Sequence, residues 1–448
     1  MADAGIMVRT RMNNGAGLAL LVTLAACGGR PRLSSGAGDA GRPAGDAGVK
    51  RRDCTFKGFA DAVRYTTSVE GLRLLPVDLN DDGHLALIVG GWWNGQQTFR
   101  VFTNHGDGTF TDSPLSLPGD MSFKNMVTAD FNGDGAVDLA SQKNGSDGVD
   151  LQTGDGVLSI NLGDRGVFAG QPTSYPTPQT SGLLVAGDFD KDGHPDLVFA
   201  GNDFVEVYGG LPVPAATNFA LNVYRNLGDG QFVAPASYPS TRGYKALVIG
   251  DFNGDGYLDV ATDAFGVFYN RGDGTFRDEV TFAVPSDSGT AGLVAADFDG
   301  DGVDDFATTT ASRSDAVGLT YAVQVFTGSR SGDFTLSASS SIPAFPSSWG
   351  LAVGDFNGDG RPDLAMEMSR DQQNVPVPPF AIVVLENRGD GTFSPPLTYL
   401  AGGIPWDSPT GFAAADFNSD GVTDFVLTTQ NQRDPYPTAV NVVLSMCE

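Results

Sequence analysis

Histidine is nearly missing from this sequence, with 3 in 448 residues. That leaves little room for imidazole catalysis or a histidine-rich transition-metal site. Cationic side chains are also scarce, 27 Lys+Arg against 54 Asp+Glu, for a formal net charge of −27. So negative a chain repels phosphate, which excludes nucleic acid and anionic lipid headgroups as partners. Only 18% of residues are charged, so the acidity reflects missing cations more than dense charge. Cysteine occurs 3 times, and the apolar stretch 16–26 is too short to cross a bilayer. Glycine (60), phenylalanine (29) and a 41% hydrophobic share are what the chain has in quantity. A disordered acidic tail is thereby excluded, and short strands joined by tight turns are expected.

The acid is organised. One phrase recurs as DLNDDGHLAL at 78, DFNGDGAVDL at 130, DFDKDGHPDL at 188 and DFNGDGYLDV at 251, then DFDGDGVDDF at 297, DFNGDGRPDL at 355 and DFNSDGVTDF at 416. The separations are 52, 58, 63, 46, 58 and 61 residues, a loose period that suits one four-stranded propeller blade. A second phrase follows six of the copies: Asn104 to Phe110, NLGDRGVF at 161, NLGDGQF at 226, NRGDGTF at 270 and 387, and a degraded TGSRSGDF ending at Phe334. Gly-Asp-Gly between apolar β-rich runs is hairpin-turn chemistry.

Around the sixth copy the pattern predicts strand A at Gly350–Gly354, B at Asp363–Met368, C at Phe380–Glu386 and D at Thr392–Leu400. Seven such units make an all-β, seven-bladed β-propeller. The seventh copy ends at Glu448 without a strand D, while residues 53–56 match the Asp-Gly-Thr-Phe that opens strand D elsewhere. The N-terminal segment is therefore expected to supply the outer strand of blade seven. This puts Cys54 and Cys447 on opposite arms of one hairpin.

In D-x-[D/N]-x-D-G-x-x-D, oxygen ligands stand at positions 1, 3, 5 and 9, with a backbone carbonyl at 7 and a Gly at 6 for the tight turn. Hard oxygen donors in that spacing suit Ca2+. An EF-hand would need flanking helices and a Glu at position 12; here an apolar strand follows position 9. The expected ligands are Asp130, Asn132, Asp134 and Asp138 in blade two, Asp188, Asp190, Asp192 and Asp196 in blade three, and Asp251, Asn253, Asp255 and Asp259 in blade four. Blade five offers Asp297, Asp299, Asp301 and Asp305, blade six Asp355, Asn357, Asp359 and Asp363, and blade seven Asp416, Asn418, Asp420 and Asp424. Blade one keeps Asp78, Asn80 and Asp82 but has Ala86 at position 9, so it is expected to be the weakest of six to seven structural sites. His84 and His194 fall at position 7, where only the carbonyl matters. Of the 54 acids, 22 stand at ligand positions, and seven filled sites would bring the formal balance to −13.

These residues resemble the FG-GAP and VCBS-type repeats of integrin α subunits and of bacterial and fungal surface proteins. The resemblance covers 53–448 and implies a seven-bladed propeller with calcium in its A–B loops. It says less about function, because the family includes adhesion modules, lectins and a few polysaccharide lyases.

Upstream, Arg9 and Arg11 precede the apolar run, which ends Leu24-Ala25-Ala26-Cys27. A basic start, a short apolar run and small residues describe an export signal over 1–26. Its end resembles the lipobox of bacterial lipoproteins, which implies cleavage before Cys27 and a lipid on Cys27. Gly28 rather than Asp follows, pointing to the outer membrane or cell surface. Residues 27–52 hold the lipidated Cys27 and a Gly/Ala/Pro/Ser-rich tether with a reach of about 25–30 Å. An exported chain permits a Cys54–Cys447 disulfide.

Strand direction puts the A–B and C–D turns on one face and the variable B–C and D–A loops on the other. All four tryptophans map to the variable face: Trp92 and Trp93 in the B–C region of blade one, Trp349 and Trp406 in the D–A connections to blades six and seven. With Asn94, Gln96, Asp407 and Arg433 nearby, they resemble a surface that stacks sugar or peptide. Two Arg-Gly-Asp tripeptides, at Arg271 and Arg388, are read as turn chemistry. No nucleophile elbow, zinc-ligand helix or isolated acid pair stands out, so no catalytic residue is named. The expected function is a monomeric, non-enzymatic, calcium-binding and envelope-anchored recognition module for carbohydrate or protein. A polysaccharide lyase or hydrolase on the same propeller is the alternative.

Overall fold

The structure, a computed structural model, describes residues 55–67, 69–93, 96–113, 126–143, 156–168, 170–178, 181–202, 219–240, 242–282, 289–314, 318–342, 350–369, 380–400, 407–431 and 438–447. Cys27, Cys54, Trp349, Trp406, Asn94, Arg433 and the segment 1–54 as a whole lie outside these residues, so the signal, tether and lipid site do too.

Seven four-stranded antiparallel sheets account for all but two of the strands. The described residues contain no helix. In blade six the strands are Leu351–Gly354, Asp363–Ser369, Phe380–Leu385 and Leu397–Leu400, hydrogen-bonded in that order. Three of the four begin and end within a residue or so of the sequence expectation. The fourth begins five residues later than expected, because Pro395 and Pro396 have no N–H to give a ladder. Ahead of them only an isolated Asn387–Phe393 bridge forms.

Blade seven closes the ring as expected. Its order is Val63–Thr67, Thr438–Val443, Asp424–Asn431, Asp407–Ala415, so an N-terminal strand lies outermost in a sheet otherwise built from the C-terminus. The remaining two strands, Phe56–Phe59 and Ser445–Cys447, pair as a ribbon just ahead of it. That ribbon stands where the other blades have the hairpin between strands C and D, with Phe56 opposite Cys447.

Both faces of each inner strand are covered by neighbouring blades, so strands such as Phe380–Leu385 (FAIVVL) read as continuous apolar runs instead of alternating ones. The buried apolar residues fall into seven clusters, one per blade interface. Val198 and Ala200, for example, pack toward blade four, while Leu197 and Phe199 pack toward blade two. At five interfaces the Phe that follows the first Asp of a loop meets, edge to face, the Phe closing the next blade's turn. The pairs are Phe131–Phe232, Phe189–Phe276, Phe252–Phe334, Phe298–Phe393 and Phe417–Phe110, with centroids 5.5–6.0 Å apart. Phe298 is fully buried. Phe298→Ala should therefore destabilise the protein by about 3–5 kcal/mol in denaturant unfolding. A loss under about 1 kcal/mol would show that these pairs do not hold the blades together.

Candidate metal centre

Each acidic loop joins strand A to strand B of its blade, and its backbone is bent by two left-handed residues. Position 6 is Gly in all seven loops, with φ from 84° at Gly83 to 94° at Gly193. Position 4 is left-handed as well, even where it is Asp81 (φ 57°), Lys191 (φ 60°) or Ser419 (φ 58°). A side chain in that region is strained, so the surrounding hydrogen bonds must hold the loop there.

Those bonds are the same around the ring. The carboxylate at position 1 accepts the N–H groups of positions 5 and 6, at 2.7–3.2 Å in all seven loops. The carboxylate at position 5 accepts the N–H of position 7, at 2.8–2.9 Å. Asp188, Asp190 and Asp192 bring one oxygen each within 4.8 Å of one another, and so do Asp297, Asp299 and Asp305; either group could hold a metal ion.

Position 9 differs from the rest. Asp138, Asp196, Asp259, Asp305, Asp363 and Asp424 are all fully buried. One oxygen of each accepts the N–H of position 2 in its own loop, at 2.8–3.2 Å. The other accepts an N–H from the C–D connection of the same blade, at 2.7–2.8 Å: Gly163, Asn226, Asn270, Gly328, Asn387 and Ser445 in order. Burial pushes these carboxyls up, Asp138 to about 6, Asp259 to about 8 and the other four to about 7. The backbone N–H groups pull the other way without winning, and the remaining loop carboxylates add to the rise. Burial also raises Asp190 and Asp299, each helped by carboxylates beside it. An added cation would relieve that repulsion.

Blade one keeps the loop without the ninth carboxylate. Asp78 and Asp82 make the usual bonds, Asn80 donates to Asp82 at 2.8 Å, and Ala86 is buried where the other blades have Asp. His84 and His194 lie against the first glycine of the following turn, where a Cβ on Gly106 or Gly228 would come within 2.6–2.7 Å of the ring. They act as packing groups on this face.

Both Arg-Gly-Asp tripeptides are turned in on themselves. Asp273 accepts from Thr275 N at 3.0 Å and Oγ1 at 2.6 Å, and Asp390 accepts likewise from Thr392. Those bonds, the hydroxyl's first, hold both carboxyls below the usual range. At the opposite face, Trp92 and Trp93 end strand B of blade one, across from Gln97 and Gln96.

Sequence reasoning missed the asparagine that opens each Gly-Asp-Gly turn. Asn104, Asn226, Asn270 and Asn387 are buried, and each donates its side-chain amide to the position-2 carbonyl of the preceding blade: Phe417 (2.8 Å), Phe131 (2.8 Å), Phe189 (2.7 Å) and Phe298 (3.0 Å). Its recurrence in the second phrase was the available signal.

Comparison with known proteins agrees with this architecture. The FG-GAP-like repeat family matches residues 78–141, 207–262, 263–308 and 312–366. No curated protein is significantly similar to the chain. Among solved structures it is similar to BBS1N in complex with ARL6DN, at 11% identity over 86% of this chain and 97% of that one, with a TM-score of 0.44. It is also similar to the NanB sialidase from Streptococcus pneumoniae in complex with 2-[(3-chlorobenzyl)ammonio]ethanesulfonate, at 11% identity over 87% and 70%, TM-score 0.41. A third similar structure is AofleA from Arthrobotrys oligospora, at 10% identity over 87% and 90%, TM-score 0.37. Likenesses at that level assign neither ligand nor activity. Seven repeated acidic loops, seven four-stranded blades and the matched repeats make this chain an FG-GAP-repeat β-propeller.

Proposed function

We propose that the protein is a calcium-stabilised propeller, tethered to the bacterial envelope by a lipid on Cys27, that binds carbohydrate or protein without doing chemistry. The observation that carries the calcium reading is the set of six fully buried ninth-position carboxylates beside the other loop oxygens. The donors are carboxylate, amide and backbone oxygens with no thiolate or imidazole, which fits Ca2+ and disfavours softer metals. Residues at positions 1, 3, 5 and 9 would hold the ion, together with the position-7 carbonyl. Bound calcium would neutralise the clustered carboxylates and brace each A–B loop. Blade one, lacking the ninth carboxylate, is the weakest site.

The anchor rests on the lipobox-like Leu24 to Cys27 and the apolar-poor tether behind it. A Cys54–Cys447 disulfide belongs to the same reading: Phe56, two residues from Cys54, is the cross-strand partner of Cys447. Such a bond would tie the two chain ends together at the ring closure.

For recognition, the reading rests on the sequence, which puts Trp92 and Trp93 near the B–C connection of blade one and Trp349 and Trp406 in D–A connections. Aromatic side chains suit sugar or peptide stacking. The experiment is a glycan and peptide array probed with the calcium-loaded protein, repeated with Trp93→Ala and Trp406→Ala. Binding that falls at least about tenfold in either variant supports this face. Unchanged binding rejects it, and release of saccharide products from a bound polysaccharide would replace the binding module by an enzyme.

A further inference from the structure

We propose that Asn226, Asn270 and Asn387 are positioning residues that couple the cation loop of one blade to the cation loop of the next; this rests on the calcium reading above. The observation is a continuous chain of hydrogen bonds from loop to loop. In blade three, residue 189 lies between Asp188 and Asp190, at positions 1 and 3 of the loop. Its N–H donates to the buried Asp196 at 3.2 Å, and its carbonyl accepts from Asn270 Nδ2 of blade four at 2.7 Å. Asn270 also donates its side-chain amide to Leu258 O at 3.0 Å and its backbone N–H to Asp259 Oδ1 at 2.7 Å. Asp259 is the ninth-position carboxylate of blade four. Its other oxygen accepts the N–H of Phe252, between Asp251 and Asn253.

The same path leads backward. Asn226 donates to Phe131 O, between Asp130 and Asn132, and its N–H holds Asp196. Blades two, three and four are therefore joined in series, and Asn387 makes the same link from Phe298 of blade five to Asp363 of blade six.

The physical basis is the position of the phenylalanine. A cation drawing together positions 1 and 3 fixes both peptide groups of the residue between them, and one of these is the carbonyl that the asparagine grips. The asparagine is fully engaged, since its Oδ1 also accepts the N–H of the first turn glycine, Gly272 N to Asn270 at 2.8 Å. It cannot shift without releasing the ninth carboxylate of its own blade.

Elsewhere the relay is interrupted. Gly328 and Ser445 stand where the asparagine would be: Gly328 holds Asp305 by its backbone N–H, and Ser445 holds Asp424 by its N–H and hydroxyl. Neither has a side-chain amide to reach the preceding loop. Asn104 grips Phe417 but has only Ala86 behind it, and both amide atoms of buried Asn161 lack a hydrogen-bond partner. Coupling should be strongest across blades two to four.

Blade four can be read separately, because its position-7 residue is Tyr257, the only phenol at that position in the seven loops. Terbium titration of the full-length protein, exciting tyrosine and subtracting the Tyr257→Phe signal, reports occupancy of the blade-four loop. Work in about 1 M KCl, where the Debye length is about 3 Å, suppresses plain charge effects between loops. Disabling the blade-three loop with Asp188→Asn and Asp192→Asn should raise the blade-four midpoint by about fivefold. In Asn270→Ala the same blade-three changes should no longer move it. Should that variant fold poorly, Asn270→Asp keeps the acceptor for Gly272 and loses both side-chain donations.

A blade-four midpoint that ignores the blade-three changes overturns the coupling. A midpoint that still moves without Asn270 overturns the role of the asparagine. A purely structural asparagine would lower the melting temperature and leave the shift intact, which counts against the proposal as well. Absence of any Tyr257-dependent emission in the otherwise unaltered protein sinks the cation reading itself, a result distinct from an emission that is present but uncoupled.

Discussion

Excess chelator at pH 7.5 should lower the melting temperature by about 15 °C or more relative to millimolar calcium. Each site bound at a hundred times its dissociation constant adds about 2.7 kcal/mol to the folded state, and six sites act together. In a domain of this length each kcal/mol moves the melting temperature by about 1–2 °C, extrapolating from smaller domains. The pH dependence should also change sign. Burial raises the ninth-position carboxyls to about 6 in Asp138, about 7 in Asp196 and about 8 in Asp259, above the ordinary 3.8. In chelator the native state keeps these protons through a range where the unfolded chain has already released them. Their contribution is then greatest below about pH 4 and is lost as pH rises through about 6–8. In calcium the deprotonated form is the one that binds, so affinity, and stability with it, should rise over the same interval. Differential scanning calorimetry from pH 4.5 to 8.5, with and without calcium, tests both statements. Parallel pH profiles in the two conditions would refute the buried-ligand account, and an unchanged melting temperature in chelator would end the calcium reading.

Removing the N-terminal strand should abolish a stable monomer. Val63–Thr67 makes five consecutive pairings with Thr438–Val442. Tyr65 also packs on Phe102 and Phe110 of blade one, its hydroxyl accepting the Phe110 N–H at 3.1 Å. A chain starting at residue 69 would leave the edge of Thr438–Val443 open and uncover the seam between blades seven and one, a template for pairing with other chains. Aggregation or rapid proteolysis is the expected outcome, judged by size-exclusion chromatography and limited trypsin digestion. A peptide spanning 55–69, added during refolding, should restore the monomer. A truncated chain that stays monomeric and melts as before would show that the closure contributes little.

The fold was legible in the sequence because its signals are local and repeated. The first phrase marks the A–B loop, the second the C–D turn, and the distance between copies the blade. The missing final strand and the matching N-terminal residues foretold the closure, which the structure places at Val63–Thr67. The start of strand D in blade six was read too early, because Phe393 forms only a bridge and the two prolines delay the ladder. That too was written in the sequence, at Pro395 and Pro396.

By itself, then, the sequence determined the blade number, through a repeated phrase, and which loops carry the ninth carboxylate, Ala86 standing in its place in blade one, since each loop's residues lie within ten positions of one another. The tertiary structure decided which of those residues carry the contacts between blades. The ninth-position aspartates look like the other loop acids in the sequence, but they are the fully buried ones, because the C–D turn folds over them. The asparagine of that turn looks like ordinary turn chemistry, yet its amide reaches a carbonyl 81 to 95 residues away in the blade three–four and two–three links. Such partners are set by ring closure, which brings distant loops side by side, and no spacing along the chain encodes them.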